Sequence, residues 1–287
     1  MELKIENITF IIVTFNSEKI IHNCLKTLPK ESSKIIIENS KNINLKNELE
    51  YNYDNIEVIL SENKGMGASN NKGLNNCKTQ FAFIINPDVK FKENTLIELI
   101  NCSKSIDDFA ILSPINSDKK FPNFKIKKNN RNTFKENIIS VDYVDGFSML
   151  INREKFKDKK YFDENFFLYL ENTDLCLRAK QNNENIYIIK SSVIEHLGAS
   201  SSNNNYLQDM EYLRNWHWMW SKFYFNKKHY GFFMAFLKIS LNLFSAIIKF
   251  LINLVTFNHH KKKIYQMRIL GIFNSILGKK SWYRLND

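Results

Sequence analysis

No two of the four cysteines, Cys24, Cys77, Cys102 and Cys176, stand at CxxC spacing. That absence excludes the usual zinc-binding pair, and their wide scatter argues for reduced, buried thiols rather than a disulfide frame. A secretory signal pattern is missing too. Residues 1–7 mix charges, and the apolar run 8–15 is short and leads into Asn16 and Ser17, so the chain is expected to stay in the cytoplasm. There is no internal repeat, no dinucleotide fingerprint and no P-loop. Acids are almost absent from the last stretch: residues 222–287 carry twelve Lys and Arg against one acid, Asp287, whereas the preceding residues hold 29 of each sign. The entire net charge of +11 therefore belongs to the tail. A neutral body with a basic, apolar end points to contact with an anionic surface, lipid or nucleic acid.

What is present suffices for a substantial core, since 44% of 287 residues are hydrophobic. The first half alternates short apolar runs with helical stretches. Residues 8–15, 34–38, 56–60 and 81–85 read as buried strands, and 17–28 and 68–77 as helices, the first capped by Ser17. This alternation predicts a parallel sheet covered by helices on both faces, with ligands at the carboxyl ends of the strands. Residues 118–137, rich in Lys and Asn, read as a loop or long excursion. Further runs at 148–152, 187–189 and 193–194 are strand-like, and 171–181 reads as a helix with acids in its first turn.

Four clusters carry candidate chemistry. Thr14-Phe15-Asn16-Ser17 and Glu38-Asn39-Ser40 follow the first two strands, where small polar groups can bind a base and ribose, or simply cap a helix and make a turn. Glu62-Asn63-Lys64-Gly65-Met66-Gly67 leads into a helix; its glycines permit close approach to an anion, and equally an ordinary strand-to-helix turn. Asn86-Pro87-Asp88 places a carboxylate at a strand end, where it can hold a divalent cation against a diphosphate or sit in a turn. Glu171 and Asp174 share a helix face, facing one cleft or, for Asp174, pairing with Arg178.

In this order these clusters resemble family 2 glycosyltransferases, especially the rhamnosyltransferase-like branch. Asn70-Asn71-Lys72-Gly73, Asp145-Gly146 and the run from Phe167 to Arg178 complete the likeness, which covers residues 8–201. The resemblance implies a GT-A type, Rossmann-like α/β fold with a mixed sheet flanked by helices. It also implies a nucleotide diphosphate sugar donor, a glycan or lipid-linked glycan acceptor, a divalent cation (Mg²⁺ or Mn²⁺) and inversion at the anomeric carbon. Carried over by position, Thr14, Asn16 and Glu38 fall at the nucleoside, and Asn63, Gly65 and Asn70 near the ribose and diphosphate. Asn86, Asp88 and Gly146 join the donor site, and Asp88 and His196 stand where the family holds its metal. Many relatives have two adjacent acids before the helix, and here Glu171 precedes Asn172, an amide that cannot accept a proton. The base is thus expected to be Glu171, with Asp174 second. Asn86 and Asn172 leave open a protein that binds nucleotide sugars without turning them over.

The tail is read as helical. Leu207, Met210, Leu213, Trp216, Trp220 and Phe223 recur at helical spacing, a stripe suited to docking. Residues 232–257 are long enough to span a bilayer, but Lys238, Asn242, Ser245, Lys249, Asn253 and Thr256 form one polar stripe along them. An amphipathic helix lying in an anionic membrane surface is therefore expected, joined by a second stretch at 264–277, with a helical hairpin packed on the catalytic domain or another subunit as the alternative. Nucleic acid is not expected, because the basic residues alternate with long aliphatic stretches. The expected organisation is a catalytic domain at 1–204, a docking helix at 205–230 and a basic amphipathic region at 231–287.

Overall fold

A computed structural model describes residues 2–126, 133–156, 160–198 and 204–284. The chain divides into two compact units, Met1–Asp163 with Asn172–Ala199, and Glu164–Glu171 with Ser200–Asp287.

The first unit is built on strands β1 (Ile8–Thr14), β2 (Ser33–Glu38), β3 (Ile56–Leu60), β4 (Phe81–Ile85), β5 (Val89–Phe91) and β6 (Ile111–Asn116). Short strands β7 (Phe124–Lys125), β8 (Thr133–Lys135), β9 (Ile138–Ser140) and β10 (Tyr143–Val144) follow, then β11 (Ser148–Asn152) and β12 (Ile186–His196). The main sheet runs β3-β2-β1-β4-β11-β6-β12-β9-β8, with β5 paired to β12, while β7 and β10 form a separate ribbon. The first four strands are mutually parallel, as their alternation with helices predicts. The sheet becomes mixed where β11 inserts antiparallel between β4 and β6.

Helices α1 (Glu18–Leu25), α2 (Ile43–Asn52), α3 (Met66–Asn76), α4 (Thr95–Ser103) and α5 (Glu171–Gln181) cover the sheet. All seven residues of β1 are buried, because its side chains alternate between two cores. Phe10 and Ile12 join a cluster with Ile21 and Leu25 of α1, Leu49 of α2 and Leu99 of α4. Ile11 and Val13 join another, with Leu74 of α3 and Leu175 and Ala179 of α5. Burial on both faces explains why the strand reads as an unbroken apolar run. Gly73 lets α3 approach β1 closely, since a Cβ there would lie 2.4 Å from Cγ2 of Ile11.

Several local expectations change. Ser17 occupies the cap position of α1, but its hydroxyl bonds to the Phe15 carbonyl at 3.1 Å and makes no cap bond to the helix. The runs at 187–189 and 193–194 are one strand, β12, with an irregularity between Ile189 and Val193. Part of the loop expected at 118–137 is strand, in β7 and β8, while residues 127–132 lie outside the described residues.

The second unit contains α6 (Asn204–Val255) and α7 (His259–Ile276). The α6 helix is interrupted at Gly231, whose φ of 81° and ψ of 166° suit glycine. Its two halves pack together: Met219 and Phe223 cluster with Ala235 and Ile239, and with Ile272 of α7. Lys222 donates to Oδ1 of Asn242 at 2.8 Å. Of the stripe expected to dock, Leu213, Trp216, Trp220 and Phe223 are buried, whereas Leu207 is exposed. The α7 helix crosses α6 closely at Gly271, where a Cβ would lie only 2.3 Å from the Trp216 carbonyl oxygen.

Candidate active site

The parallel strands end in register. Thr14 pairs with Glu38 and Glu38 with Leu60, and the Thr14 carbonyl accepts the Asn39 amide at 2.9 Å. This edge gathers several of the residues expected at a donor. Thr14 is buried, and Asn16 is exposed in the left-handed region at φ 49°. The Glu38 carboxylate organises the next turn, accepting the Ser40 amide at 3.1 Å, the Asn42 amide at 2.7 Å and the Ser40 hydroxyl. Glu38 thereby shapes the loop beside the strand ends. The sequence cluster included the carboxylate and Ser40 but not Asn42, which only the turn geometry brings to it.

The glycine turn opens α3. Oδ1 of Asn63 accepts the Gly65 amide at 3.3 Å, and Gly65 adopts φ 106°, a conformation that strongly favours glycine. The first amides of α3 lack intrahelical partners and suit an anion. Asn70 is buried on this helix with Oδ1 unbonded. The neighbouring Asn71 clasps Phe162 through its amide and carbonyl at 2.9 Å each.

Asp88 and His196 are brought together by the β5–β12 pair, in which Val89 stands opposite His196. The Asp88 carbonyl accepts the Leu197 amide at 3.1 Å. Nε2 of His196 lies 3.3 Å from Oδ2 of Asp88, and Oδ1 of Asp88 is buried without a hydrogen-bond partner. The imidazole stacks on Phe147, with centroids 4.0 Å apart and planes within 10°. Asn86 closes the corner, its amide donating to the Phe147 carbonyl at 3.0 Å. Phe147 was not expected at the site; its signal in the sequence is the preceding Asp145-Gly146. Asp145 is itself raised by burial, an effect partly offset by the charges of His196 and Lys125.

An unbonded carboxylate oxygen beside an imidazole fits a divalent cation. Among the described residues no three His, Cys, Asp or Glu converge, so a cation held by Asp88 and His196 would complete its shell from diphosphate oxygens and water, as Mg²⁺ usually does.

Gly146 and the start of α5 lie side by side. A Cβ on Gly146 would meet Cβ of Asn172 at 3.4 Å, and Nδ2 of Asn172 donates to the Val144 carbonyl at 2.8 Å. An acid at position 172 would lose that donor. Asp174 is fully buried, and its Oδ2 accepts Nε of Arg178 at 2.9 Å. Arg178 also donates to the carbonyls of Lys160, at 3.0 Å, and Tyr161.

Glu171, in the second unit, differs from both. Its side chain is buried with Oε2 unbonded, and burial pushes its pKa up to about 7, opposed by its own backbone amide. A carboxylate at that value is suited to taking a proton at neutral pH.

Comparison with known proteins identifies the family and the fold. The family model described as glycosyl transferase family 2 matches residues 9–169. The chain is 26% identical over 200 residues to the low-salt glycan biosynthesis hexosyltransferase Agl10 of Haloferax volcanii, a match covering 63% of this chain and 64% of that protein. It thus spans just under two thirds of that relative's length. With rhamnosyltransferase WbbL of Escherichia coli it shares 28% identity over 198 residues, covering 58% of this chain and 75% of the relative. Mannosyltransferase PcManGT of Pyrobaculum calidifontis, solved with GDP-Man and Mn²⁺, superposes with a TM-score of 0.57 at 10% identity, over 96% of this chain and 88% of that one. That likeness shows the fold, a GT-A type mixed sheet flanked by helices.

Proposed function

The chain belongs to glycosyl transferase family 2, and from that premise we propose that it is a metal-dependent, inverting hexosyltransferase that moves a sugar from a nucleotide diphosphate donor to a glycan carried on lipid. The observation that carries this reading is the Asp88–His196 pair, a half-buried carboxylate whose buried Oδ1 is free of partners, beside an imidazole at the end of the parallel strands. Thr14, Asn16 and Glu38 take the nucleoside, Asn63, Gly65 and Asn70 the ribose and diphosphate, and Asn86 and Gly146 border the sugar. Asp88 and His196 hold the cation. When bound, Mg²⁺ or Mn²⁺ supplies Lewis-acid stabilisation of the charge that gathers on the departing diphosphate.

Glu171 acts as the general base. It takes the proton of the acceptor hydroxyl as that oxygen attacks the sugar from the side opposite the diphosphate. Asp174, tied to Arg178, fixes the start of α5 instead. The donor sugar is a hexose, with rhamnose first among the candidates, since relatives are a hexosyltransferase and a rhamnosyltransferase.

We place the enzyme on the cytoplasmic, inner face of the cell membrane, held by its tail. Residues 207–255 include a stretch long and apolar enough to cross a bilayer, of which only 17% is buried. Phe233, Leu241, Phe244, Leu251 and Val255 are exposed, while Asn242 and Lys249 turn to Lys222 and the Tyr265 ring. A lysine at mid-bilayer costs about 2.5–3.5 kcal/mol, whereas each base near anionic lipid gains about 1 kcal/mol. Lying in the surface is therefore favoured over spanning.

Release of nucleoside diphosphate, measured across a panel of nucleotide sugars with a lipid-linked glycan acceptor, tests the function. One hexose donor should be turned over only with Mn²⁺ or Mg²⁺ present; binding of nucleotide sugars with no turnover of any would instead mark a non-catalytic binding protein.

A further inference from the structure

Two consecutive non-glycine residues immediately before Glu171 adopt left-handed backbone: Tyr169 at φ 72° and Leu170 at φ 68°. Such conformations are strained for a side chain with a Cβ and persist only where surrounding contacts impose them. Here the first residue of the turn and the three before it are each gripped by the helical tail, inside the same compact unit. The Phe166 ring meets Tyr224 edge-on, with centroids 4.9 Å apart. Phe167 is held between the His217 ring, at 4.7 Å, and the Arg284 guanidinium, 3.4 Å from its centroid. The Leu168 carbonyl accepts the Ser221 hydroxyl at 2.9 Å. Tyr169 packs edge-on against Trp218 at 5.4 Å.

The strap that carries Arg284 is itself latched. His217 is buried, its Nδ1 lies 2.8 Å from the Ser281 hydroxyl and its Nε2 2.8 Å from the Tyr283 carbonyl. Burial pushes its pKa down to about 3, so the ring stays neutral, donating from Nε2 and accepting at Nδ1. Tyr283 stacks on Trp216, and the Trp220 indole donates to the Lys279 carbonyl at 3.0 Å.

We propose that the tail positions the base: Ser221, Trp218 and Arg284 are positioning residues that hold the strained Tyr169–Leu170 turn, and through it the Glu171 carboxylate, in its working place. The tail then has a catalytic duty beyond membrane attachment. This rests on the reading of Glu171 as base, and the test separates the two. A buried base displaced by even 1 Å can lose about 10²-fold in rate, and one that gains water returns toward the ordinary carboxylate range.

The experiment compares full-length wild type with Ser221→Ala, Trp218→Ala, Trp218→Phe and Glu171→Gln. It measures kcat against pH for sugar transfer and donor affinity by calorimetry. Trp218 is 40% exposed, so its truncation empties no core position. Ser221→Ala and Trp218→Ala should lower kcat by about 10- to 100-fold and move its pH limb below the wild-type value, with donor affinity unchanged. Trp218→Phe, which keeps an aromatic edge on Tyr169, should restore both. The positioning role is overturned if Glu171→Gln abolishes transfer while the two alanine variants keep the wild-type kcat and pH limb. If Glu171→Gln itself turns over normally, the base assignment fails and the inference falls with it.

Discussion

Oδ2 of Asp174 accepts Nε of Arg178 at 2.9 Å, one helical turn on, and the carboxylate is wholly out of water. Arg178 reaches from there to the Lys160 and Tyr161 carbonyls. The pair is thus a brace between α5 and the preceding loop. Removing one partner of a buried pair leaves the other uncompensated and typically costs 3–5 kcal/mol. With Arg178 partly exposed, Asp174→Asn is expected to lose on the order of 3 kcal/mol, read by denaturant unfolding, while residual folded protein keeps its donor affinity. An unchanged midpoint with abolished turnover would move the base to Asp174.

Donor binding should depend on a divalent cation and on Asp88 and His196, the two residues proposed to hold it. Calorimetry with a nucleoside diphosphate should show weaker binding in EDTA than in Mn²⁺, and the same loss in Asp88→Ala with Mn²⁺ present. His196→Ala should lie between, because it removes one proposed ligand, the stacking partner of Phe147, and leaves Asp88 in place. Equal affinity under all these conditions would remove the metal from the account.

Much of the first unit was legible because its strands are buried on both faces and so read as continuous apolar runs, as in residues 8–15 and 81–85. Helix α2 was missed, since only Leu45 and Leu49 turn inward, while its other apolar residues, Ile43 and Tyr51, are exposed and the rest is polar. The antiparallel insertion of β11 between β4 and β6 left no mark either, because strand order is decided by pairings remote in sequence. The pairing of Asp88 with His196 was legible from the resemblance. The grip of α6 on residues 166–169 was not, because helical periodicity marks a packing face without saying what it packs against.

The close crossing at Gly271 gives a direct test of tail packing. A methyl group there would meet the Trp216 carbonyl oxygen at 2.3 Å, backbone that cannot yield cheaply. Gly271→Ala should therefore destabilise the helical unit by about 1–3 kcal/mol, seen as an earlier thermal transition. A stability equal to wild type would mean that α7 does not pack on Trp216 as described.

Flotation with anionic vesicles should recover the full-length protein at low salt and release it at high salt, because lysines at 238, 249 and 261–263 act within a Debye length of the surface. Resistance to salt and carbonate would indicate a spanning helix. Absence from the vesicle fraction at low salt would leave the exposed apolar face of α6 to another protein surface.

The central claim is that Glu171 is the base of a sugar transfer, and its most direct test is kcat against pH, with donor affinity, for wild type and Glu171→Gln. Burial raises this carboxyl to about 7, so the proton-accepting form is depleted below that value and prevails above it. Wild-type kcat should accordingly rise with pH through about 7 and then level off. Glu171→Gln should lose about 10²–10⁴-fold in kcat at the plateau, lack that limb, and bind donor as tightly as wild type. A glutamine variant with wild-type turnover and the same pH profile would contradict the account.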